Sequence, residues 1–420
     1  MRVRATVLRG IAAGGIAVIM AATGMGTASA SPAVPLVSTN PVNYTPNITN
    51  GAAYKSAQAN GTLYVGGSFT SVTATNGATF TRNHILSFNA STGAVSSFAP
   101  NVNGAVWAIV PSGSSLYIGG TFTSVNGIAR RGLAKIDATT GAVDQSFNAG
   151  LTSGSVTEAA LVNGRLIISG TFPKKILAVS PASGANTGYI NVAVTGTVAD
   201  NAGPTEVYRF AVNPAGTRLV GVGNFTTVGG KTRYRAFMLN LDAAVTVSDW
   251  WYAPLQQRCA ADSLTDYMRD VDFSPDGSYF VFVSTGYVPL SGQIGIALCD
   301  AAARFETSIM TPARPTWINY TGGDTLHSVA VTDAAVYVQG HQRWLDNPQG
   351  RDNAGPGAVS RPGIGAINVS TGKALAWNPT KDRGVGGKDL LVTSAGLWVA
   401  SDTAHIGHET RMRIALLPVP

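Results

Sequence analysis

Short apolar runs alternate with glycine-rich turns along most of the chain. Runs such as Val106-Trp107-Ala108-Ile109-Val110 and Val271-Asp272-Phe273 read as strands. A tight turn follows each, as at Asn213-Pro214-Ala215-Gly216 or Ser274-Pro275-Asp276-Gly277. Proline fixes φ and glycine accepts positive φ, so these tetrapeptides predict turns. A second strand comes next, then a variable loop, then a third strand such as Gly132-Leu133-Ala134-Lys135-Ile136-Asp137 or Ile364-Gly365-Ala366-Ile367-Asn368. Another turn, at Thr140-Gly141, Ser183-Gly184 or Thr371-Gly372, leads to a fourth strand. That strand often ends in an aromatic: Phe98, Phe147, Trp250 or Trp377.

The second strand reveals a repeat. Leu63-Tyr64-Val65-Gly66-Gly67-Ser68-Phe69-Thr70-Ser71-Val72 returns as Leu116-Tyr117-Ile118-Gly119-Gly120-Thr121-Phe122-Thr123-Ser124-Val125. Further copies begin at Leu166, Leu219, Tyr279, Val336 and Leu397, at intervals of 50 to 61 residues. Four strands repeated seven times predict an all-β fold, a seven-bladed β-propeller of four-stranded antiparallel blades. The seventh unit stops after a third strand at Met412 to Leu417. Its outer strand is expected from Ala33 to Thr39, so that the segment before the first blade closes the ring. The expected organisation is a signal peptide at 1–30, a closing segment at 31–50 and the propeller at 51–420.

Composition supports this outline. Only 12% of the 420 residues are charged against 45% hydrophobic, which excludes a disordered or coiled-coil chain. Arg2, Arg4 and Arg9, an apolar stretch from Ile11 to Met20 and Ala28-Ser29-Ala30 form the pattern of a cleaved export signal. No later segment reaches about 18 uninterrupted apolar residues, so no membrane span is expected. The formal charge of +7 includes those three arginines. With no long basic run and no nucleic-acid module, a nucleic-acid partner is not expected. Cys259 and Cys299 are the only cysteines, and in an oxidising compartment a lone pair is most simply a disulfide. The chain is read as secreted and monomeric.

Candidate chemistry falls on the face carrying the long second-to-third loops, because binding surfaces sit where loops vary over a rigid scaffold. The richest loop runs from Gln339 to Pro362. Within it His341, Gln342 and Arg343 offer donors, Trp344 a flat stacking surface and Asp346 an acceptor, which suits sugar hydroxyls or an anionic ligand. The alternative is that Arg343 and Trp344 only pack the loop onto its neighbours. Asp324, His327, Arg269 and Asp270, with Glu206 to Arg209, Arg383 and Lys388-Asp389, are expected near the same rim. Asp270 or Asp324 as acid or base, His327 or His341 as proton carrier and Arg269 or Arg343 as anion clamp would be the set for catalysis. The bland alternative is a polar ring that holds the blades together. His405 and His408 with Glu409 form a weak candidate zinc site, in loop rather than helix context. Trp107 reads as core and the fourth-strand aromatics as wedges between blades. No nucleophile elbow, phosphate loop or dinucleotide fingerprint is present, and no cofactor is expected.

The pattern at 63–70, its copy at 116–123 and the following Arg131-Gly132-Leu133-Ala134 resemble the "delta-60" propeller repeats of secreted bacterial proteins. Asp270-Val271-Asp272-Phe273-Ser274-Pro275-Asp276-Gly277 and Gly340-His341-Gln342-Arg343-Trp344 look like exported propeller modules of high-GC Gram-positive bacteria. The resemblance implies fold and export and transfers no catalytic residue. Two functions follow as expectations. The first is a secreted propeller that binds an extracellular or cell-envelope glycan, or a protein, on its variable-loop face. The second is an extracellular polysaccharide hydrolase or lyase with its site at the channel mouth.

Overall fold

A computed structural model describes residues 35–198, 203–260 and 264–420. The expected signal peptide and residues 31–34 of the closing segment lie outside the described residues. The described chain is all-β apart from one short 3-10 turn at Ala253–Gln256, and it is a β-propeller. Among the described residues seven antiparallel sheets are simple meanders that run from an inner strand outward, and five smaller two- or three-stranded sheets form in the loops and connectors beside them. The inner strands are Ala53–Ala59, Val106–Ser112, Val156–Val162, Glu206–Val212, Met268–Phe273, Leu326–Val331 and Gly387–Thr393. Each packs against the next, and Gly387–Thr393 packs against Ala53–Ala59.

A single meander sheet buries neither of its faces, so stability must come from the wedges between sheets. The buried clusters have that form. One joins Val65 and Phe88 of the first blade to Trp398, Ile414 and Leu416 of the last. Another joins Tyr64 and Ile85 to Phe98, Ile118 and Phe122.

The fourth strand differs from its expected form. It is a full strand only at Val245–Val247 and Trp317–Tyr320. In four other blades it shrinks to one bridge, such as Phe88 to Val95, Ile136 to Val143 or Ile367 to Ala374. The chain leaves the sheet there because its aromatic turns inward. Phe98 lies edge-on to Tyr64 at 5.8 Å, and Trp377 edge-on to Tyr337 at 5.2 Å, with Phe147 tilted onto Tyr117 at 5.5 Å. The tyrosines come from the repeated second strand, so the repeat supplies both halves of each contact. Backbone pairing at the outer edge is exchanged for buried aromatic surface between blades.

Arginines hold these short outer segments in place. The residue that ends the second-to-third hairpin donates to the carbonyl before it and to the outer segment of its own blade. Arg82 reaches Ser96 O (2.6 Å), Arg130 Gln145 O (3.2 Å), Arg233 Ser248 O (2.9 Å) and Arg361 Leu375 O (3.0 Å). In the last blade the equivalent Arg411 donates to Val42 O at 2.9 Å. The N-terminal segment thus stands where every other clamped outer segment stands. It also pairs with the third strand, Ile414–Pro418, through Ser38 N to Pro418 O (2.7 Å) and Val42 N to Leu416 O (3.0 Å). Val37 is buried, taking a hydrogen bond from Trp377 Nε1 (2.7 Å) and giving one to Tyr337 Oη (3.0 Å).

Cys259 and Cys299 are joined in a disulfide, which ties the connector before the fifth blade to that blade's long loop. Closing 40 residues of chain contributes roughly 4 kcal/mol in the chain-entropy picture. No helix among the described residues is long and apolar enough to cross a membrane.

Deleting residues 31–42 removes this edge pairing and uncovers Trp377. The melting temperature should fall by roughly 5 °C or more, since loss of a well-packed buried group costs about 3–5 kcal/mol. Calorimetry of the truncated and intact chains checks this, and superimposable melts would refute the role given to the segment.

Candidate functional site

The inner strand of each blade is a sheet edge that faces the channel. Every one of the seven carries a β-bulge at the same place, where its register against the second strand shifts, as between Ala53 and Lys55 or between Leu326 and Ser328. A bulge leaves one residue unpaired and re-aims its side chain. In the first four blades those residues are Tyr54, Trp107, Thr157 and Tyr208. In the last three they are Arg269, His327 and Lys388.

The residue after each bulge forms a second level, deeper in the channel. Lys55, Glu158, Arg209, Asp270 and Asp389 stand there. Lys55 Nζ bridges Glu158 Oε2 (3.1 Å) and Asp389 Oδ1 (3.4 Å), and Arg209 Nη1 meets the same Glu158 oxygen at 2.7 Å. Burial opposes charge on Lys55 and Arg209, but Asp389 and Glu158 outweigh it and raise both above their ordinary values. The carboxylates also cap open edges of neighbouring blades. Asp389 Oδ2 accepts Ser56 N (2.9 Å), and Asp270 Oδ2 accepts Val329 N (3.1 Å). One step deeper, Asp272 Oδ2 accepts Val331 N (2.7 Å). Burial pushes Asp270 up to about 6, against the pull of Arg209 and Lys55, and Asp272 up to about 7. A cavity of about 450 Å³ lies against this level and extends toward the first turns at Pro214 and Pro275.

On the loop face a shallower cleft of about 460 Å³ is lined by Arg269, His327, His341, Arg383 and Val385. His327 and His341 lie 6.0 Å apart, centroid to centroid. His341 Nε2 accepts Thr325 N and its Nδ1 faces Val385 O, both at 3.3 Å, which places the proton on Nδ1. Burial depresses both imidazoles, His327 strongly, with the charge of Arg269 adding to the effect, so both are neutral at pH 7. Arg269 stacks its guanidinium over Tyr267 at 4.4 Å, and Tyr208 meets Tyr267 edge-on. Beside them burial raises the Glu206 carboxyl to about 7, opposed by Arg269.

The other expected residues divide. Asp324 is 2% exposed and fully engaged. Arg343 holds it through Nε (2.9 Å) and Nη2 (3.0 Å), and Arg383 through Nη2 (2.9 Å). Arg343 is thereby also committed, with Asp352 Oδ1 as its further partner at 3.0 Å. Trp344 is half-buried with the Arg343 guanidinium 4.5 Å over its ring. Gln342, expected at the rim, is held inside instead, and Asp346 is half-buried with its carboxylate engaged. Gln342 is fully buried; its backbone carbonyl accepts Gly363 N, while neither atom of its side-chain amide has a hydrogen-bond partner among the described residues. Asp346 is tied to Asn319 Nδ2 (2.6 Å) and Ala374 N (3.1 Å), joining the fifth and sixth blades. Asp270 lies below the cleft, capping a backbone N–H.

His405 and His408 sit on a hairpin formed by His405–Ile406 and Glu409–Thr410. His405 Nδ1 bonds Asp382 Oδ2 (2.8 Å), while His408 Nε2 faces Thr380 Oγ1 (3.3 Å). Among the described residues no three His, Cys, Asp or Glu side chains form a group able to hold a metal ion.

Sequence reasoning assigned Trp107 to the core, yet it is half-buried and stacks on Tyr54 at 4.0 Å across two blades. Tyr54, Lys55 and Glu158 drew no notice. The signal that finds them is alignment of the seven inner strands, which places all the bulge residues in one column.

A family model described as "Domain of unknown function (DUF5122) beta-propeller" matches residues 115–147. No curated protein matches the chain. Among solved structures, the computationally designed Ika8 protein aligns with 91% of this chain and 100% of its own, at 9% identity and a TM-score of 0.45. Hydrazine synthase of Kuenenia stuttgartiensis aligns with 86% of this chain and 94% of its own, at 12% identity and a TM-score of 0.49.

The raised Asp272 carboxyl has a signed consequence. Its folded pKa exceeds the unfolded one, so the folded state binds more protons between about pH 4 and 7 and loses stability as pH rises through that window. Asp272→Asn does not titrate. Its melting temperature should therefore rise relative to wild type between pH 5 and pH 8, and a constant difference would contradict the assignment.

Proposed function

We propose that this chain is an extracellular, non-catalytic binding propeller. Its seven blades form a ring closed by the N-terminal segment, and its ligand, a glycan, seats at the loop-face mouth of the channel. The observation that carries this reading is the convergence of Arg269, His327, His341 and Arg383 on one open cleft beside committed carboxylates. A general acid or base must be free to meet the proton it moves. Asp324 is fixed between two arginines, and Asp270 caps the next blade's backbone. What remains at the cleft is suited to holding a ligand by hydrogen bonds and charge.

Export is supported by the 1–30 pattern and by the disulfide, which persists in oxidising compartments. One observation favours the second reading, a polysaccharide hydrolase or lyase. Glu206, with a carboxyl near 7 and Arg269 beside it, has the proton affinity of a general acid–base group.

Glycan-array binding of the chain from residue 31 onward tests the first reading. His341→Ala should weaken binding about tenfold, because His341 lines the cleft. Trp344→Ala should leave it within about twofold, because that ring rests against Arg343. Capture of proteins but no glycan would move the ligand class to protein. Release of reducing ends from any bound polysaccharide, abolished by Glu206→Gln, would establish the enzyme instead.

A further inference from the structure

The seven bulge residues are not distributed at random around the channel. Aromatic rings come from blades 1, 2 and 4, at Tyr54, Trp107 and Tyr208, and Tyr267 adds a fourth beside them. Nitrogen-bearing groups come from blades 5, 6 and 7, at Arg269, His327 and Lys388. Because the bulges occupy one register position, these side chains are presented at one level. One arc therefore carries three flat rings, interrupted by the buried Thr157 of blade 3, and the other carries cations and a neutral imidazole.

No carboxylate among the described residues lies within ion-pair distance of the cations on this arc. Arg269 and Lys388 enter no ion pair among the described residues, although Lys55, Arg209, Arg343 and Arg383 all do. Arg269 Nε is buried with no hydrogen-bond partner. The carboxylates that face these groups are Glu206, Asp300 and Asp402. Burial raises Glu206 to about 7 and Asp300 well above the usual carboxylate range, which weakens the negative charge beside Arg269. Asp402 accepts Val385 N (3.0 Å) and Gly386 N (3.4 Å). Burial lowers the Lys388 ammonium, opposed by Asp402 and reinforced by Arg269.

We propose that the ligand of this mouth is an acidic oligosaccharide, a chain of pyranose rings bearing carboxylate or sulfate groups. Its anions lie on the arc of blades 5 to 7, and its ring faces on the aromatic arc. The inference deepens the binding reading above and rests on it. An arginine matches a carboxylate or sulfate through paired donors. Aromatic faces suit the C–H side of a sugar ring, leaving hydroxyls free for His327 and His341. Two cations held outside any ion pair suit one or two anionic groups. A nucleic-acid backbone would call for many more.

Titration calorimetry of the chain from residue 31 onward tests this with four probes: an oligogalacturonate, a sulfated heparin oligosaccharide, a neutral xylo-oligosaccharide of equal length, and polyphosphate. At least one acidic oligosaccharide should bind ten times more tightly than the neutral one. Arg269→Gln with Lys388→Gln should remove that tenfold preference, and Lys388→Gln alone should reduce it if the double variant melts early. Trp107→Ala should weaken acidic-sugar binding about tenfold, while Trp107→Phe, which keeps a flat ring, should retain most of it. Equal affinity for neutral and acidic chains would overturn the acidic assignment and leave the glycan reading standing. Polyphosphate binding as tightly as the sugars, indifferent to Trp107→Ala, would overturn the sugar assignment. No binding of any glycan by a protein with a normal melt would end both readings.

Discussion

The innermost strand of each blade has neighbours on one side only. Its second backbone edge points into the channel, where each unpaired N–H would cost free energy unless something accepts it. Much of the unusual chemistry of this chain is a response to that requirement. Asp389, Asp270 and Asp272 bond backbone N–H groups across blade boundaries, and each thereby links two blades. A carboxylate in such a place must be desolvated, which raises Asp270 and Asp272 and leaves Asp389 to be balanced by Lys55. The ion-pair level is then a consequence of edge satisfaction. Such buried pairs contribute little net stability when intact and much instability when one partner is lost.

The bulge separates two tasks that would otherwise compete for one position. Below it, side chains satisfy the edge and cross the channel. At it, an unpaired residue is released from the ladder and turned toward the mouth. Because the surrounding strands fix that residue in register, it can vary without disturbing the blade. Tyr54, Trp107, Thr157, Tyr208, Arg269, His327 and Lys388 show how far it does vary, while the bulge itself recurs in every inner strand.

The repeat made the fold legible. Second strands of the Leu-Tyr-Val-Gly-Gly type are buried on both faces, so their apolar run and glycines stand out, and the intervening turns carry proline and glycine. Fourth strands were over-read because a β-branched residue followed by an aromatic looks like a strand end, as at Val95 and Phe98, whereas the aromatic leaves the sheet to fill the wedge. The site was harder to read. Asp324, His327, His341, Arg269 and Arg383 were visible as polar groups near strand starts, and the fold brings them together. Gln342 and Asp346 are not legible because adjacent loop residues point in opposite directions, and sequence does not say that Gln342 turns inward or that Asp346 is taken up by Asn319 and Ala374. Trp107 misled because an aromatic in an apolar run looks like core, and a one-residue register shift lies below what hydrophobic pattern resolves.

The arginines carry the same lesson about position. The basic excess looks like an interaction surface, yet Arg82, Arg130, Arg233, Arg361 and Arg411 are spent on carbonyls of outer segments, and Arg343 and Arg383 on Asp324. A guanidinium held to fixed acceptors inside the fold has little left to offer a ligand, even where, as in Arg82, Arg130 and Arg233, its Nε has no partner. Arg269 and Lys388 differ in place: they stand at the bulge level and enter no ion pair among the described residues, which is why the proposed acidic ligand falls to them.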